Sequence, residues 1–211
     1  MAIPPSVRDA LNLTQTECAN LIVFVDLLLK WQKAINLISK ATASQIWTRH
    51  VMDSGQLRQY IPPNIFERQN VDVRIADVGA GAGFPGMILS IMGVPSIDLI
   101  ESDGRKATFL REAARQLDLN VRIINQRAET VNDTTYDLVT ARALASLPDL
   151  LQLTYPLLKT GGKLLILKGK TADEELTRCE KHWNMTVTKR PSITDAHGSV
   201  LLIEDIVPIH A

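Results

Sequence analysis

A run of glycines between two carboxylates is the part of this sequence whose residue types and spacing best suit chemistry. Gly79, Gly81 and Gly83 alternate with small residues just after Asp77, and Glu101 follows further along the chain. Glycines let a backbone turn tightly and approach a ligand closely, and a carboxylate accepts hydrogen bonds from ribose hydroxyls. The pattern predicts a site for a nucleotide-type cofactor.

Two ways of aligning the glycines predict two different cofactors. From Gly81 to Gly86 the chain matches the dinucleotide pattern G-x-G-x-x-G, followed at a suitable distance by an acid. Alternatively, Asp77 begins the pattern D-x-G-x-G-x-G, which is typical of S-adenosylmethionine (SAM) sites. There Asp77 would meet the cofactor ammonium directly or through water, or cap the turn through backbone N–H groups. Gly79 and Gly81 would admit the methionine moiety, and Glu101 would hold both ribose hydroxyls.

The strand before the glycines favours SAM. Residues 73–78 are apolar and rich in β-branched side chains, which predicts a buried strand, and the turn should begin where this strand ends, at Gly79. In that alignment Phe84 stands where the dinucleotide pattern needs its third glycine. A dehydrogenase usually has a separate substrate domain, and little chain remains here for one. An NAD(P)-dependent oxidoreductase is therefore the less favoured interpretation, and it is kept as the alternative.

The elements that position these residues alternate between strand and helix, which predicts a mainly parallel sheet covered on both faces. Pro85 suits the first turn of the next helix, whose N-terminal N–H groups should point toward the ligand. The last two strands have no full helix between them, so we expect a closing hairpin with one antiparallel strand. The predicted strands are 73–78, 96–100, 121–125, 136–140, 163–167, 185–189 and 200–207, and the helices 86–92, 105–117, 147–158 and 171–183. Gly161-Gly162 is read as a turn.

Residues 1–70 are predicted to form an N-terminal helical extension, and residues 71–211 a SAM-binding core, packed as one compact unit. Thr14 and Glu17 have the spacing of a capping box, which predicts the start of a helix that ends near Lys33. A second helical segment is expected over 43–60.

Composition narrows the class of protein. The 23 Lys and Arg residues equal the 23 Asp and Glu residues, which argues against a generally basic nucleic-acid binder but allows a local basic face. Cys18 and Cys179 lack metal-ligand spacing, so we expect no metal and a reduced, cytoplasmic setting. No signal pattern and no apolar run long enough for a membrane span is present, and the mixed surface predicts a monomer.

Four motifs in order resemble one known family. They are Lys30-Trp31-x-Lys33-x-Ile35-Asn36-Leu37, His50-x-x-Asp53-Ser54, Asp77-Val-Gly-Ala-Gly-Ala-Gly-Phe-Pro-Gly and Asp137-x-Val139-x-x-Arg142-Ala143. The chain resembles the bacterial small-subunit rRNA guanine-N7 methyltransferases, also called glucose-inhibited division protein B, from about residue 14 to 207. The resemblance implies a Rossmann-like, class I SAM-dependent methyltransferase with a seven-stranded sheet, acting on a guanine in 16S rRNA. A methyltransferase for a non-RNA substrate is the second alternative.

The resemblance also implies a set of site residues. Its cofactor-contact positions fall on Gly79, Phe84, Ala128, Glu129 and Arg142, and we add Ser102, next to Glu101.

Guanine N7 carries an available lone pair, so no catalytic base is nominated. Arg142 and Phe84 are expected to position the reactants, with Phe84 as a stacking surface for guanine. His50, near Asp53, is expected to make a structural hydrogen bond instead of acting as a base.

Three cations are predicted to contact RNA phosphates. Arg105, Lys106 and Lys168 are expected near the edge of the sheet where the ligand binds, whereas Arg111 and Arg115, on the same basic face of the helix predicted over 105–117, are expected farther from it. These three residues are the predicted RNA contacts, whereas the RNA substrate itself is implied by the resemblance.

Overall fold

In the computed structural model, which describes residues 2–66 and 73–209, seven strands form one sheet. They are β1 (Ile75–Val78), β2 (Ile97–Ile100), β3 (Val121–Ile124), β4 (Tyr136–Arg142), β5 (Leu158–Lys168), β6 (Trp183–Pro191) and β7 (Ser199–Pro208). Their order is β3-β2-β1-β4-β5-β7-β6, and the first five are parallel. Because β7 runs antiparallel to both β5 and β6, the predicted closing hairpin is confirmed.

Helices pack on both faces of this sheet, as the alternating pattern predicts. The α-helices are α1 (Pro5–Ala10), α2 (Gln15–Trp31), α3 (Lys40–Ala43), α4 (Asp53–Gly55), α5 (Pro63–Phe66), α6 (Gly86–Ile91), α7 (Gly104–Gln116), α8 (Leu147–Thr154) and α9 (Ala172–Cys179). One buried hydrophobic cluster joins α2, α6 and α7 to one face, and a second joins α8 and α9 to the other. The Rossmann-like fold predicted from the sequence is confirmed.

The N-terminal helices belong to the first of these clusters. Thr14 caps α2, and the reciprocal bond from the Thr14 N–H to the Glu17 carboxylate completes the predicted capping box. Apolar residues of α2, such as Leu21 and Phe24, share their cluster with Ile75 of β1. The predicted boundary between residues 70 and 71 lies outside the described residues, so the division into two parts stays a prediction.

The second helical segment, expected over 43–60, is helical in most of this range but is not one regular α-helix. After α3 the chain forms a π-helical segment (Trp47–Met52), then α4, then a 3-10 helix (Gln56–Tyr60). The side chains of His50, Asp53 and Gln56 from this segment make hydrogen bonds to other parts of the molecule. These tertiary contacts override regular helical winding, and π-helical turns frequently occur at functional sites.

A second local correction concerns the glycine pair near β5. Gly161-Gly162 does not precede the strand, because β5 begins at Leu158 and continues through both glycines. The pairing of β5 with β4 is irregular between Tyr136 and Leu138, and this irregularity accommodates the glycines within the strand.

Candidate active site

The sheet order reverses next to β1, which pairs with β2 on one side and β4 on the other. In open α/β sheets, ligands bind outside the carboxyl ends of the strands at such a point. The glycine turn lies there, with φ angles of 69° at Gly79, 57° at Gly81 and 89° at Gly83. The turn begins at Gly79, directly after Val78 ends β1, so the alignment that favours SAM over a dinucleotide agrees with the structure.

Asp77 lies beneath this turn and not on its surface. The residue is fully buried, and its carboxylate accepts hydrogen bonds from the Gly86 N–H at 2.8 Å and the Thr140 hydroxyl at 3.0 Å. A side chain at position 86 would collide with Asp77 and with Leu99, which explains the glycine. The expected contact between Asp77 and a cofactor ammonium does not fit this position, whereas the capping role does.

The expectation that the first N–H groups of α6 face a ligand needs the same correction. The Gly86 N–H is used by Asp77, and the Met87 N–H donates to the Gly83 carbonyl. Burial raises the pKa of Asp77 to about 7, although the hydrogen bonds from Gly86 and Thr140 act in the opposite direction. Asp77 therefore holds the turn against α6 and is partly protonated near neutral pH.

Glu101, at the end of β2, joins the glycine turn to the start of α7. One carboxylate oxygen accepts from the Gly81 N–H at 2.8 Å, and the other from the Asp103 N–H at 2.7 Å. Each oxygen of an ionised carboxylate can accept more than one hydrogen bond. Glu101 is thus fixed in orientation and retains acceptor capacity toward a ligand at the sheet edge.

The next two strands supply the remaining predicted cofactor residues. Ser102 is exposed after β2, and Glu129 is exposed in a 3-10 helix (Ala128–Thr130) after β3. The sequence analysis missed Asn125, whose amide donates to the carbonyls of Glu101 at 2.8 Å and Ser102 at 3.2 Å. Asn125 ties the ends of β2 and β3 together, and its place at the end of a predicted strand was the available signal.

Leu144, which follows β4, lies against the glycine turn on the side away from β2 and β3. Its side chain is 40% exposed, and a Cβ atom at Gly79 would be 2.7 Å from one of its methyl groups. Ala143 before it has a φ of 51°, so the chain bends sharply after β4. Leu144 therefore separates the glycine turn from the space beyond β4.

Arg142, at the end of β4, is bound to the N-terminal helical part. One terminal nitrogen donates to the Arg49 carbonyl at 3.0 Å and to Asp53 at 3.1 Å, and the other faces His50 Nδ1 at 2.9 Å. The guanidinium also lies 5.2 Å from the centre of the Phe84 ring. These contacts give Arg142 a structural role, and its cofactor contact stays a prediction.

His50 makes structural hydrogen bonds, as predicted, and its partners are Arg142 and Thr42. Because Arg142 can only donate, Nδ1 must accept, and Nε2 carries the proton toward the Thr42 hydroxyl at 2.8 Å. Burial and the nearby guanidinium groups of Arg142 and Arg49 lower the pKa of His50 to about 4. His50 is neutral at pH 7.

Phe84 is a core residue, and the expected role in stacking guanine does not fit its environment. The ring is only 4% exposed and contacts the rings of Phe24 and His50 at centroid distances of 5.8 and 5.0 Å. Together with the Arg142 guanidinium these groups cover the ring. Phe84 supports Arg142 instead of offering a free surface.

Asp53 connects three separate segments and was not among the predicted site residues. One carboxylate oxygen accepts from Arg142, and the other accepts from the Thr194 hydroxyl, in the β6–β7 loop (residues 192–198). Gln56 holds the same loop by accepting from the Ile193 N–H at 2.9 Å. Only the pairing of distant segments reveals these roles, so the local sequence gave no signal beyond the His50-x-x-Asp53 motif.

A cavity of about 310 Å³ lies next to this network. Its walls come from the N-terminal helical part, the ends of β4 and β5, α9 and the β6–β7 loop. The charged residues that line it are Arg49, Asp53, Arg142, Lys168, Glu175 and Asp195. Leu144 lines the cavity too, so the cavity and the glycine turn are neighbours across one side chain.

Of the predicted RNA contacts, Lys168 must be corrected. Its side chain is 11% exposed, pairs with Glu175 at 2.7 Å and donates to the Ala145 carbonyl at 3.0 Å. A largely enclosed ammonium that already binds Glu175 and Ala145 does not fit the expected role of a free phosphate contact. Arg105 is 76% exposed beside Asp103, and Lys106 is partly exposed, so both stay predictions.

Residues 2–66 and 73–209 contain neither a metal-ligand group nor a membrane-spanning helix. No group of three or more metal-ligating side chains comes together there, and no helix within these ranges has the length and apolarity that crossing a bilayer requires.

Comparison with known proteins identifies the family. The family model described as GidB: rRNA small subunit methyltransferase G matches residues 17–203. The chain belongs to the rRNA small subunit methyltransferase G family. Two relatives with the name ribosomal RNA small subunit methyltransferase G come from Paramagnetospirillum magneticum, 46% identical over 96% of both chains, and Rhodospirillum centenum, 44% identical over 95% of this chain and 90% of that one.

Solved structures that are similar to this family member support the fold. A Thermotoga maritima SAM-dependent O-methyltransferase aligns over 89% of this chain and 73% of its own, with a TM-score of 0.57 and 14% identity. M. jannaschii TYW2 in complex with AdoMet aligns over 84% and 80%, with a TM-score of 0.56 and 17% identity. At these identities the likeness concerns the fold alone, which is that of methyltransferases.

Proposed function

We propose that this chain transfers a methyl group from SAM to N7 of a guanine in the 16S rRNA of the small ribosomal subunit. Membership of the rRNA small subunit methyltransferase G family carries the methyltransferase class and the rRNA substrate. The guanine, its N7 atom and the use of SAM by this chain are the steps that we add. The use of SAM is supported by the turn from Gly79 to Gly83, placed between Glu101 and the cavity beyond Leu144. The guanine and its N7 atom rest on the resemblance carried by the four sequence motifs.

The residues of the turn fit SAM. The backbone of Gly79 and Gly81 is in the left-handed region. The closest atom to a Cβ at Gly81 would be the Gly79 carbonyl oxygen at 3.7 Å, so a ligand can approach Gly81 closely, whereas the Leu144 side chain lies against Gly79. Glu101 would accept both ribose hydroxyls with its remaining lone pairs. Ser102, Ala128 and Glu129 would border the adenine, and Asp77 would act by holding the turn in place.

When bound, SAM supplies an electrophilic methyl group on a sulfonium. Guanine N7 offers a lone pair, so the protein needs to orient the acceptor and keep it close, and it needs no residue to remove a proton. His50 is neutral, bonded on both ring nitrogens and held beside Arg142, which suits a support and not a base. Arg142 would position the target at the end of β4.

Two further properties belong to this proposal. We expect the chain to act as a monomer in the cytoplasm, where small ribosomal subunits are available. Size-exclusion chromatography with light scattering measures the oligomeric state, and a mass of about twice that of the 23.4 kDa chain contradicts the expected monomer.

The transfer itself is tested with SAM that carries a labelled methyl group. Small subunits from a strain that lacks the related methyltransferase, free 16S rRNA, ribosomal proteins and small molecules are offered separately. Label in 16S rRNA, alone or within the subunit, supports the proposal. Label in protein or small molecules only, or saturable binding of NAD(P) without binding of SAM, contradicts it.

A further inference from the structure

Among the described residues that line the cavity beyond β4, one oppositely charged pair is not joined by a hydrogen bond. Lys168 and Glu175 bind each other at 2.7 Å, and Arg142 and Asp53 do so at 3.1 Å, so these four groups have partners in the fold. Arg49 and Asp195 differ, because the closest approach of their charged atoms is 3.7 Å, which is too long for a hydrogen bond.

This pair is also accessible. The side chains of Arg49 and Asp195 are 46% and 39% exposed. An exposed pair without a hydrogen bond adds little to stability, so a ligand can replace its contact at little cost. Apart from that contact, one Asp195 oxygen accepts from the His197 N–H at 2.9 Å, and the other oxygen is available.

The sheet places the β6–β7 loop, which carries Asp195, at the edge where the ligand is expected. Ser199, at the start of β7, pairs with Lys168 at the end of β5, so the β6–β7 loop lies at the same edge as the glycine turn. Two strands, β4 and β5, lie between β1 and β7, so Leu144 after β4 and Asp195 in the β6–β7 loop line the same cavity from different strands. A volume of about 310 Å³ is at the lower end of the range for small-molecule sites.

We infer that Asp195 recognises the Watson–Crick edge of the target guanine, assisted by Arg49; this inference rests on the proposed function. With N7 turned toward the glycine turn, the N1–H and 2-amino donors of guanine face the opposite wall of the cavity. A carboxylate accepts hydrogen bonds from both, and the Arg49 guanidinium can donate to O6, which adenine lacks. Adenine N1 is an acceptor and would be repelled by the carboxylate.

The inference is tested in reconstituted small subunits in which the target guanosine is replaced by inosine, a nucleoside that differs from guanosine only in lacking the 2-amino group. The wild-type protein should have a kcat/KM for inosine about tenfold or more below that for guanine. Asp195→Asn keeps the oxygen that accepts from His197 but loses the second acceptor. It should lower kcat/KM for guanine about tenfold and bring the guanine-to-inosine ratio near one, with an unchanged Kd for SAM.

A second variant and a control separate recognition from folding. Asp195→Ser keeps a single acceptor in the loop and should give the same loss of discrimination. Asp118→Asn, an exposed carboxylate after α7, should match the wild type in every value. The inference is overturned if the wild type does not distinguish guanine from inosine, or if both Asp195 variants keep the wild-type ratio. Absence of transfer to guanine by the wild type would instead refute the proposed function.

Discussion

At the scale of single residues, Asp77 and His50 respond to burial in opposite ways. Burial favours the neutral form of each group, which is the protonated form of a carboxyl and the deprotonated form of an imidazole. The pKa of Asp77 accordingly rises from 3.8 to about 7, and the pKa of His50 falls from 6.5 to about 4. Both groups therefore link stability to pH across nearly the same range, with opposite signs.

The signs follow from proton binding. Native Asp77 holds its proton more tightly than the unfolded chain does, so stability is lost as the pH rises from about 4 to about 7. Native His50 binds a proton less readily than the unfolded chain does, so stability is lost as the pH falls from about 6.5 to about 4. In the wild type the two effects largely cancel.

Removing one group should expose the other. Relative to the wild type, Asp77→Asn should gain free energy of unfolding as the pH rises from 4 to 7, by up to about 1.4 kcal/mol for each pH unit. His50→Asn, which keeps an acceptor for Arg142, should gain relative stability as the pH falls over that range. Urea unfolding at several pH values measures both. Slopes of the same sign for the two variants would show that one of these assignments is wrong.

The Lys168–Glu175 pair gives a second prediction at this scale. Lys168→Met leaves the buried Glu175 carboxylate without its cation, and should cost about 3–5 kcal/mol of stability. Adding Glu175→Gln removes the unpaired charge and should restore most of the loss. Chemical denaturation of the single and double variants gives the comparison. A Lys168→Met protein of normal stability that binds small subunits more weakly would return Lys168 to the RNA surface.

At the scale of elements, the β6–β7 loop, the end of β4 and the irregular helical segment around His50 are held together by Asp53. Within its own segment, Asp53 also accepts from the Gln56 amide through its backbone carbonyl and one carboxylate oxygen. These segments line the cavity, and the shape of the cavity depends on their contacts.

Asp53→Ala should therefore loosen the β6–β7 loop. We expect a loss of about 2 kcal/mol or more, because Arg142 keeps its charge and loses its carboxylate. Hydrogen exchange should accelerate over residues 192–198, while the Kd for SAM changes little and transfer to RNA falls. Asp118→Asn serves as the control here too. Wild-type exchange rates in the loop of Asp53→Ala would contradict the linking role.

Local patterns predicted the elements better than the contacts between them. The capping box at Thr14, the seven strands and the turn starting at Gly79 follow from propensities and periodicity, and the structure agrees with each. The hydrogen bonds that join Asp53 to Arg142 and to Thr194 connect segments distant in sequence, and no local pattern encodes them. The helical character of residues 47–60 was predicted, but their π-helical and 3-10 turns were not, because no local pattern distinguishes these turns from an α-helix.

At the scale of the whole molecule, the sheet order reverses between β1 and β4, and the parts of the sheet edge on either side of this point are suited to different tasks. The side of β1, β2 and β3 carries the glycine turn, Glu101 and the exposed Ser102 and Glu129. The side of β4, β5 and the β6–β7 loop carries a charged cavity. Leu144 stands between them, so a methyl donor on one side and an acceptor base on the other would meet at the end of β4.

The central claim is that the methyl group reaches N7 of a guanine in 16S rRNA, and nucleoside mass spectrometry tests it most directly. Small subunits from a strain without the related enzyme are incubated with the protein and SAM, and the 16S rRNA is digested to nucleosides. We predict about one 7-methylguanosine per subunit, absent when the protein is omitted. A methyl group on another base, on another guanine atom or on ribose, or no new methylated nucleoside at all, would contradict the claim.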